Sequence, residues 1–248
     1  MNEQQPEPYQ PLREDWQTAV AVVAHPDDME YGAAAAVARW TSQGKRVVYV
    51  MVTSGEAGID SLPPEQCRPV REAEQVASAA LVGVHEVEFL GHPDGVLEYG
   101  LTLRRDIARV VRRHRPDIVI TSNFRDTYGG VMPNQADHIA TGRSALDAVR
   151  DAGNRWVFPV LTDEGHQPWS GVREIWAAGS PEARHAVDTT AFFDVGVASL
   201  RAHQAYLEGL GGDMANAADF LEGFARAAGT RLGVRYASSF EVLPLSFG

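Results

Sequence analysis

Short apolar runs alternate along the first two thirds of the chain with longer segments in which apolar residues recur every three or four positions. Continuous apolar runs are typical of strands covered on both faces, and the periodic segments are typical of amphipathic helices. The runs predict strands at residues 18–24, 47–53, 86–90, 117–121, 156–160 and 174–178. The periodic segments predict helices at residues 32–43, 71–81, 103–114, 138–152, 194–209 and 214–228.

This order of strands and helices predicts an α/β fold with a doubly wound, mostly parallel sheet and helices on both faces. The 248 residues are enough for one large domain and short for two, and no change in composition marks a linker. Residues 1–16 are polar and include three prolines, so we expect a loosely attached tail there and one domain over residues 17–248. Trp40, Trp156 and Trp176 lie in predicted elements and are expected in the core.

Charge and composition exclude several classes of function. Acidic residues outnumber basic ones by 33 to 22, and no cluster of lysine and arginine follows the pattern of a nucleic-acid site. Cys67 is the only cysteine, which excludes an internal disulfide and a thiolate zinc cluster. No apolar segment approaches the ~20 residues that span a bilayer, and the first residues lack the apolar centre of a signal peptide. We therefore expect a cytoplasmic protein, and the oligomeric state stays open.

The strongest chemical signal follows the first predicted strand, in the run Ala24-His25-Pro26-Asp27-Asp28-Met29-Glu30. In an open parallel sheet, ligands bind where strands end. A divalent metal would use the imidazole of His25 and the carboxylate of Asp28, while Asp27 could accept a proton from water. An ordinary turn or helix cap at Asp27, with a solvated Glu30, would explain one aspartate but not the whole run.

A third metal ligand is expected from the loop after the strand at residues 117–121. That loop leads to Gln135-Ala136-Asp137-His138 at the start of a predicted helix, and His138 is the natural ligand there. Two histidines and one carboxylate leave a coordination position open, as in catalytic zinc sites. Asp137 is either a partner of a ligand or a helix N-cap. The same donor set also occurs in non-haem Fe(II) oxygenases, although these usually have an all-β fold.

The run from His25 to Glu30 resembles the His-Pro-Asp-Asp-x-Glu motif of the PIG-L/LmbE-like zinc-dependent de-N-acetylases. Weaker motifs of that family follow in the same order, and the resemblance extends from about Ala19 to Gln204. These motifs lie at residues 53–58, at Arg71 and Glu74, at residues 90–95 and at residues 202–204.

The resemblance implies a Rossmann-like sheet and hydrolysis of an acetamide on a small-molecule amino sugar or glycosylated compound. It implies Zn²⁺ as the metal, with Fe²⁺ or another divalent cation as the alternative. Asp27 would be the general base. The remaining implied roles are metal ligands at His25, Asp28 and His138 and substrate contacts at Arg71 and Asp94.

The chain departs from the family pattern at Gln135. Many relatives have a histidine at that position, which helps to polarise the amide or to protonate the leaving amine. Glutamine can donate a hydrogen bond to an oxyanion but cannot deliver a proton. The acid is therefore either protonated Asp27 or another histidine, with His203 and His166 as candidates and His92, beside Asp94, as a weaker one. Loss of catalysis with retention of the metal is the other interpretation, and the presence of Asp27 argues against it.

Overall fold

The computed structural model describes residues 7–210 and 216–245, and within them one eight-stranded sheet forms the centre. A separate two-stranded hairpin consists of β6 and β7. The ten strands are β1 Gln10–Pro11, β2 Thr18–Val23, β3 Arg46–Met51, β4 Glu86–Phe89, β5 Ile118–Ser122, β6 Thr127–Tyr128, β7 Met132–Pro133, β8 Glu174–Ala178, β9 His185–Asp188 and β10 Ala237–Pro244.

Nine helices are present in the described part of the chain. They are α1 Asp28–Gly32, α2 Ala34–Ser42, α3 Pro64–Leu81, α4 Leu101–His114, α5 Ala136–Gly153, α6 Val160–Asp163, α7 Phe193–Arg201, α8 Gln204–Leu210 and α9 Ala217–Leu232. No helix in these residues is long and apolar enough to cross a membrane.

The large sheet has the strand order β1-β9-β10-β8-β5-β2-β3-β4, and its pairs are parallel except where β10 meets β8 and β9. Along β2, alternate side chains enter two separate cores. Ala21 and Val23 pack on the face that α2 covers, whereas Val20 and Val22 pack on the face covered by α4 and α5. The prediction of a mostly parallel α/β sheet with helices on both faces is confirmed.

Four consecutive loops leave this sheet at the same edge, because β2, β3, β4 and β5 run parallel. The loops begin after Val23, Met51, Phe89 and Ser122. Segments that are up to a hundred residues apart in the sequence therefore meet beside one another, as expected for the ligand-binding edge of an open α/β sheet.

The predicted strand at residues 156–160 is wrong. Trp156 is 81% exposed rather than part of the core, and α6 begins at Val160. Phe158 has a φ of 54° and Pro159 has no N–H to donate, so this segment turns instead of extending. The buried guanidinium of Arg112 donates to the carbonyls of Asn154 and Val157. In a sheet these carbonyls would accept hydrogen bonds from a neighbouring strand.

The expectation of a loosely attached tail does not hold for residues 10–16. Gln10 and Pro11 pair in parallel with β9. Trp16 is 1% exposed, and its ring centroid lies 5.3 Å from Trp40 and 5.9 Å from Trp176. Burial of the large apolar area of an indole holds this segment against the sheet.

The two predicted C-terminal helices have other bounds in the structure. The segment expected as one helix over residues 194–209 is divided into α7 and α8 at Ala202 and His203. The last helix, α9, extends to Leu232 and ends at Gly233, which has a φ of 83°. Of the first three residues of the predicted helix 214–228, 214 and 215 lie outside the described residues, and Asn216 is the N-cap of α9. The division before α8 is important for the site because it places His203 at a helix junction.

Gly142 on α5 tests how closely the helix that carries His138 packs against the loop after β5. A Cβ at this position would lie 2.3 Å from the Cβ of Phe124, so Gly142→Ala should lower the free energy of unfolding by about 1–3 kcal/mol. Gly223→Ala is the matched control, because nothing lies within 4 Å of a Cβ there. The control should raise stability by up to about 1 kcal/mol. Urea unfolding followed by circular dichroism measures both, and a Gly142→Ala protein as stable as the wild type would contradict the packing.

Candidate metal centre and active site

The turn between β2 and α1 presents two of the predicted ligands to the loop edge of the sheet. The backbone N–H groups of Ala24 and His25 donate to Oδ2 of Asp28 at 2.9 and 3.0 Å. These two hydrogen bonds fix the carboxylate and leave its Oδ1 directed toward His138. The turn itself therefore orients one oxygen ligand.

His138 lies in the first turn of α5 and completes a group of three donor atoms. Its Nε2 is 3.0 Å from Oδ1 of Asp28 and 3.2 Å from Nδ1 of His25. The third distance, between Nδ1 of His25 and Oδ1 of Asp28, is 3.9 Å. Ligand atoms at ~2.1 Å from a tetrahedral cation are separated from one another by roughly 3.4 Å. Two imidazole nitrogens and one carboxylate oxygen at these separations fit a divalent metal, and the structure thus brings the three predicted ligands together.

The other ring nitrogen of His25 faces two carboxylates. Nε2 lies 3.1 Å from Oδ1 of Asp94 and 3.3 Å from Oδ2 of Asp137. Asp137 also accepts hydrogen bonds from the backbone N–H groups of Gly95 and Leu97, at 2.7 and 3.0 Å, and does not cap α5. Of the two roles expected for Asp137, the structure therefore shows contact with His25, a predicted ligand, and such a contact fixes the orientation of a ring.

Two side chains of this cluster, His25 and Asp28, have shifted pKa values. Burial lowers the pKa of His25, but its hydrogen bonds to Asp137 and Asp94 outweigh burial and raise it to about 10. Burial raises the pKa of Asp28, but the rings of His138 and His25 outweigh burial and lower it to about 2. The cluster therefore holds Asp28 as a carboxylate, the form in which it binds a cation.

We call the three predicted ligands His25, Asp28 and His138 the metal group. Asp27, which lies beside this group, has an unusual backbone conformation. Its φ is 86°, in the left-handed region that is costly for residues other than glycine. The amide of Gln75 compensates by accepting the backbone N–H of Asp27 at 2.9 Å. The residue is 4% exposed, and this burial raises the pKa of the carboxyl while the nearby Arg71 opposes the rise.

Arg71 was expected to contact the substrate, and the structure places its guanidinium on Asp27. Nη2 lies 2.7 Å from the carbonyl of Pro26 and 3.2 Å from Oδ2 of Asp27. The ring of Tyr206 covers the guanidinium at 3.7 Å. Arg71 and Gln75, one helical turn apart on α3, thus grip the carboxylate and the backbone of the same residue.

His203 lies at the junction of α7 and α8, completely buried and outside the metal group. Its Nε2 is 3.8 Å from Oε2 of Glu30. The other oxygen of Glu30 accepts hydrogen bonds from Gln75 and Ser78. By contrast Gln135, the N-cap of α5, is exposed beside the site.

Comparison with known proteins identifies the family. Residues 20–149, just over half of the chain, match the family PIG-L, GlcNAc-PI de-N-acetylase. The chain belongs to the PIG-L family. The resemblance inferred from the motifs is thereby confirmed.

Two PIG-L relatives are deacetylases by name. The diacetylchitobiose deacetylase of Thermococcus kodakarensis is 29% identical over 141 residues, which cover 56% of this chain and only 51% of that protein. The 1D-myo-inositol 2-acetamido-2-deoxy-alpha-D-glucopyranoside deacetylase of Acidothermus cellulolyticus is 28% identical over 231 residues, with 73% of this chain and 77% of that protein covered.

A solved structure shows the same fold over nearly the whole chain. The N,N'-diacetylchitobiose deacetylase from Pyrococcus horikoshii, in complex with an inhibitor, superposes with a TM-score of 0.84 at 25% identity. The superposition covers 93% of this chain and 85% of that one. The shared fold therefore extends well beyond residues 20–149.

Several residues around the site were missed from the sequence. Gln75 carried a usable signal, since it lies four residues after Arg71 on one face of a helix. Tyr128 and Asn134 both approach Nδ1 of His138, at 2.8 and 3.0 Å, but they belong to the connection between β5 and α5, where regular structure is limited to the short hairpin β6–β7. Outside long helices and strands, the sequence has no periodic pattern that predicts the direction of a side chain.

We expect the protein to bind one divalent cation through His25, Asp28 and His138. His138→Ala should weaken Zn²⁺ binding by more than the roughly 10–100-fold that accompanies loss of a residue that only orients a ligand, because it removes a ligand itself. His92→Ala is the control, since His92 pairs with Asp106 at 3.2 Å and not with the metal group. Isothermal titration of the metal-free proteins measures both affinities. Equal affinities for the two variants would exclude His138 from the site.

Proposed function

We propose that this PIG-L family member is a metal-dependent hydrolase that removes an N-acetyl group from an amino sugar or a glycosylated small molecule. One observation carries the proposal: three metal-binding side chains converge beside a buried carboxylate, Asp27, that is free of the metal group. The named relatives, which are deacetylases of acetylated amino sugars, support the same substrate class. We further propose that residues 17–248 act as one domain, to whose sheet residues 10–16 also belong through β1 and Trp16.

The expected ligands of the cation are His25, Asp28 and His138, and Zn²⁺ is the first choice because two imidazoles and one carboxylate with an open position suit it. Fe²⁺ is the alternative for the same ligands. When bound there, a divalent cation lowers the pKa of a water ligand and polarises a carbonyl. The remaining steps depend on side chains of the chain itself.

Asp27 is the proposed general base. Arg71 and Gln75 hold its carboxylate and backbone next to the ligand Asp28. As water attacks the acetamide carbonyl, Asp27 accepts a proton from it. The carbon–nitrogen bond then breaks, acetate leaves, and the departing amine must receive a proton.

We propose that Asp27 also returns that proton to the amine. His203 is completely buried beside Glu30, and His166 follows α6, where its carbonyl contacts Arg112. Neither imidazole lies in the metal group. His203 then has an indirect role, through Glu30 and the amide of Gln75 that holds Asp27.

Both residues that were expected to contact the substrate, Arg71 and Asp94, receive revised roles in this proposal. Arg71 acts on the substrate through Asp27, whose carboxylate it holds. Asp94 orients His25 and connects two loops, because it accepts the backbone N–H of Ala57 at 2.8 Å. We assign donation to the substrate carbonyl oxygen to Gln135, which is exposed three residues before His138.

The function is tested by amine release from a panel of N-acetylated amino sugars, including diacetylchitobiose and N-acetylglucosaminyl inositol. The full-length protein should release amine and acetate in equal amounts, and a chelator should abolish the reaction until Zn²⁺ or Fe²⁺ is restored. Metal binding without amine release from any acetamide would favour the interpretation that catalysis has been lost. Oxygen consumption would instead favour an Fe²⁺ oxygenase.

Asp27→Asn should keep the metal and lose turnover. The side chain is outside the group of ligands, and loss of general base catalysis typically costs about 10²–10⁴-fold in rate. Asp163→Asn, at an exposed position on α6, is the control and should have wild-type activity. Metal content and kcat are measured on the same preparations. Unchanged kcat in Asp27→Asn would remove this residue from the mechanism.

Gln135→Ala should lower kcat by up to about 10²–10³-fold if the amide stabilises the oxyanion, which is the scale for one lost donor. Gln135→His should stay active, since imidazole can also donate. Gln10→Ala, at an exposed position on β1, is the control. Steady-state kinetics on the best substrate of the panel measures kcat for the wild type and all three variants. Wild-type kcat in Gln135→Ala would make the residue a bystander.

A further inference from the structure

Asn134 is the residue before the N-cap of α5, and it contacts the far nitrogen of the proposed ligand His138. Its Oδ1 lies 3.0 Å from Nδ1 of His138. The hydroxyl of Tyr128, on the hairpin β6–β7, lies 2.8 Å from the same nitrogen. Asn134 lies outside every motif that led to the family.

The orientation of the Asn134 amide follows from its other partners. Nδ2 lies 2.7 Å from the carbonyl of Asn123 and 2.9 Å from the carbonyl of Arg125. Backbone carbonyls only accept hydrogen bonds, so the NH₂ group must point toward them. The backbone N–H of Gln135 donates to Oδ1 at 2.8 Å, which identifies the oxygen independently.

This fixed oxygen determines where the ring of His138 carries its hydrogen. An amide oxygen at 3.0 Å from a ring nitrogen needs a hydrogen between the two atoms, because two lone pairs would repel. Nδ1 must therefore be the N–H side of the ring. The lone pair of a neutral His138 then lies on Nε2, the atom that faces Asp28 and His25.

The hydroxyl of Tyr128 does not determine whether Nδ1 or Nε2 of His138 carries the hydrogen, because a hydroxyl both donates and accepts. It would bond equally well to either form of the ring. Its hairpin also turns through Gly129 and Gly130, both with positive φ, whereas four hydrogen bonds hold the Asn134 amide. Of the two neighbours of Nδ1, Asn134 alone discriminates between the two forms.

We propose that Asn134 is a positioning residue that holds His138 with its hydrogen on Nδ1 and so presents Nε2 to the metal. The proposal rests on the metal site of the proposed function. It adds a side chain on which metal affinity depends to the three ligands and the two carboxylates beside His25. Asn134 lies between β7 and α5 and gives His138 a partner equivalent to those carboxylates.

The experiment compares Zn²⁺ affinity among full-length, metal-free variants, measured by competition with a chromogenic chelator. Asn134→Ala should weaken binding by about 10–100-fold, the usual effect of losing a partner of a metal-bound histidine. Asn134→Asp keeps an acceptor facing Nδ1 although it loses the donors to the loop, so it should recover most of the affinity.

Asn123→Ala is the matched control. The Asn123 side chain also closes this loop, through the N–H of Arg125 and the carbonyl of Thr127, but it does not contact His138. Its Zn²⁺ affinity should stay close to the wild-type value, and so should that of Tyr128→Phe. A loss in Asn123→Ala equal to that in Asn134→Ala would assign the effect to the loop and overturn the proposal.

A spectroscopic measurement on the wild type avoids any dependence on variant folding. In the Zn²⁺-loaded protein with ¹⁵N-labelled histidine, Nδ1 of His138 should carry the hydrogen and Nε2 should show the shift of a metal-bound nitrogen. The reverse assignment would overturn the proposal while leaving the metal site intact. A wild-type protein that binds no Zn²⁺ or other divalent cation would overturn the metal site and this proposal together.

Discussion

The convergence of three electron-pair donors, His25, Asp28 and His138, is the constraint on which the rest of the site depends. Such atoms repel one another at 3.0–3.9 Å unless a proton or a cation lies between them. Contacts from three sides hold them in place. Two backbone N–H groups fix Asp28, two carboxylates fix His25, and α5 carries His138 against the loop after β5.

The four loops at this edge are connected to one another as well as to the ligands. Asp94 joins the loop after β4 to Ala57 in the loop after β3, and Asp137 at the start of α5 binds the backbone of Gly95 and Leu97. A displacement of one loop therefore moves the orienting partners of His25. Such shared support places catalytic groups with the precision that acid–base chemistry needs.

Asp27 combines strain with support. A left-handed aspartate costs on the order of 1–3 kcal/mol, and the contacts of Arg71 and Gln75 offset this cost from a helix that begins about forty residues later in the chain. The carboxylate of Asp27 stays outside the ligand group, which its neighbour Asp28 enters. Adjacent aspartates thus have separate environments, and burial raises the pKa of one while the histidines lower that of the other.

The sequence by itself determined the α/β class, the family and the three proposed ligands, because strand periodicity is local and the ligands follow strands that end at one edge. It missed the exposure of Trp156 and the docking of residues 10–16, which depend on partners far along the chain. Only the tertiary structure decided that Arg71 lies on Asp27, that Asp94 faces His25 and that Asn134 faces His138. Residue identity limits which chemistry a side chain can perform, but its partner is set by loops whose conformation depends on the packing of the whole domain.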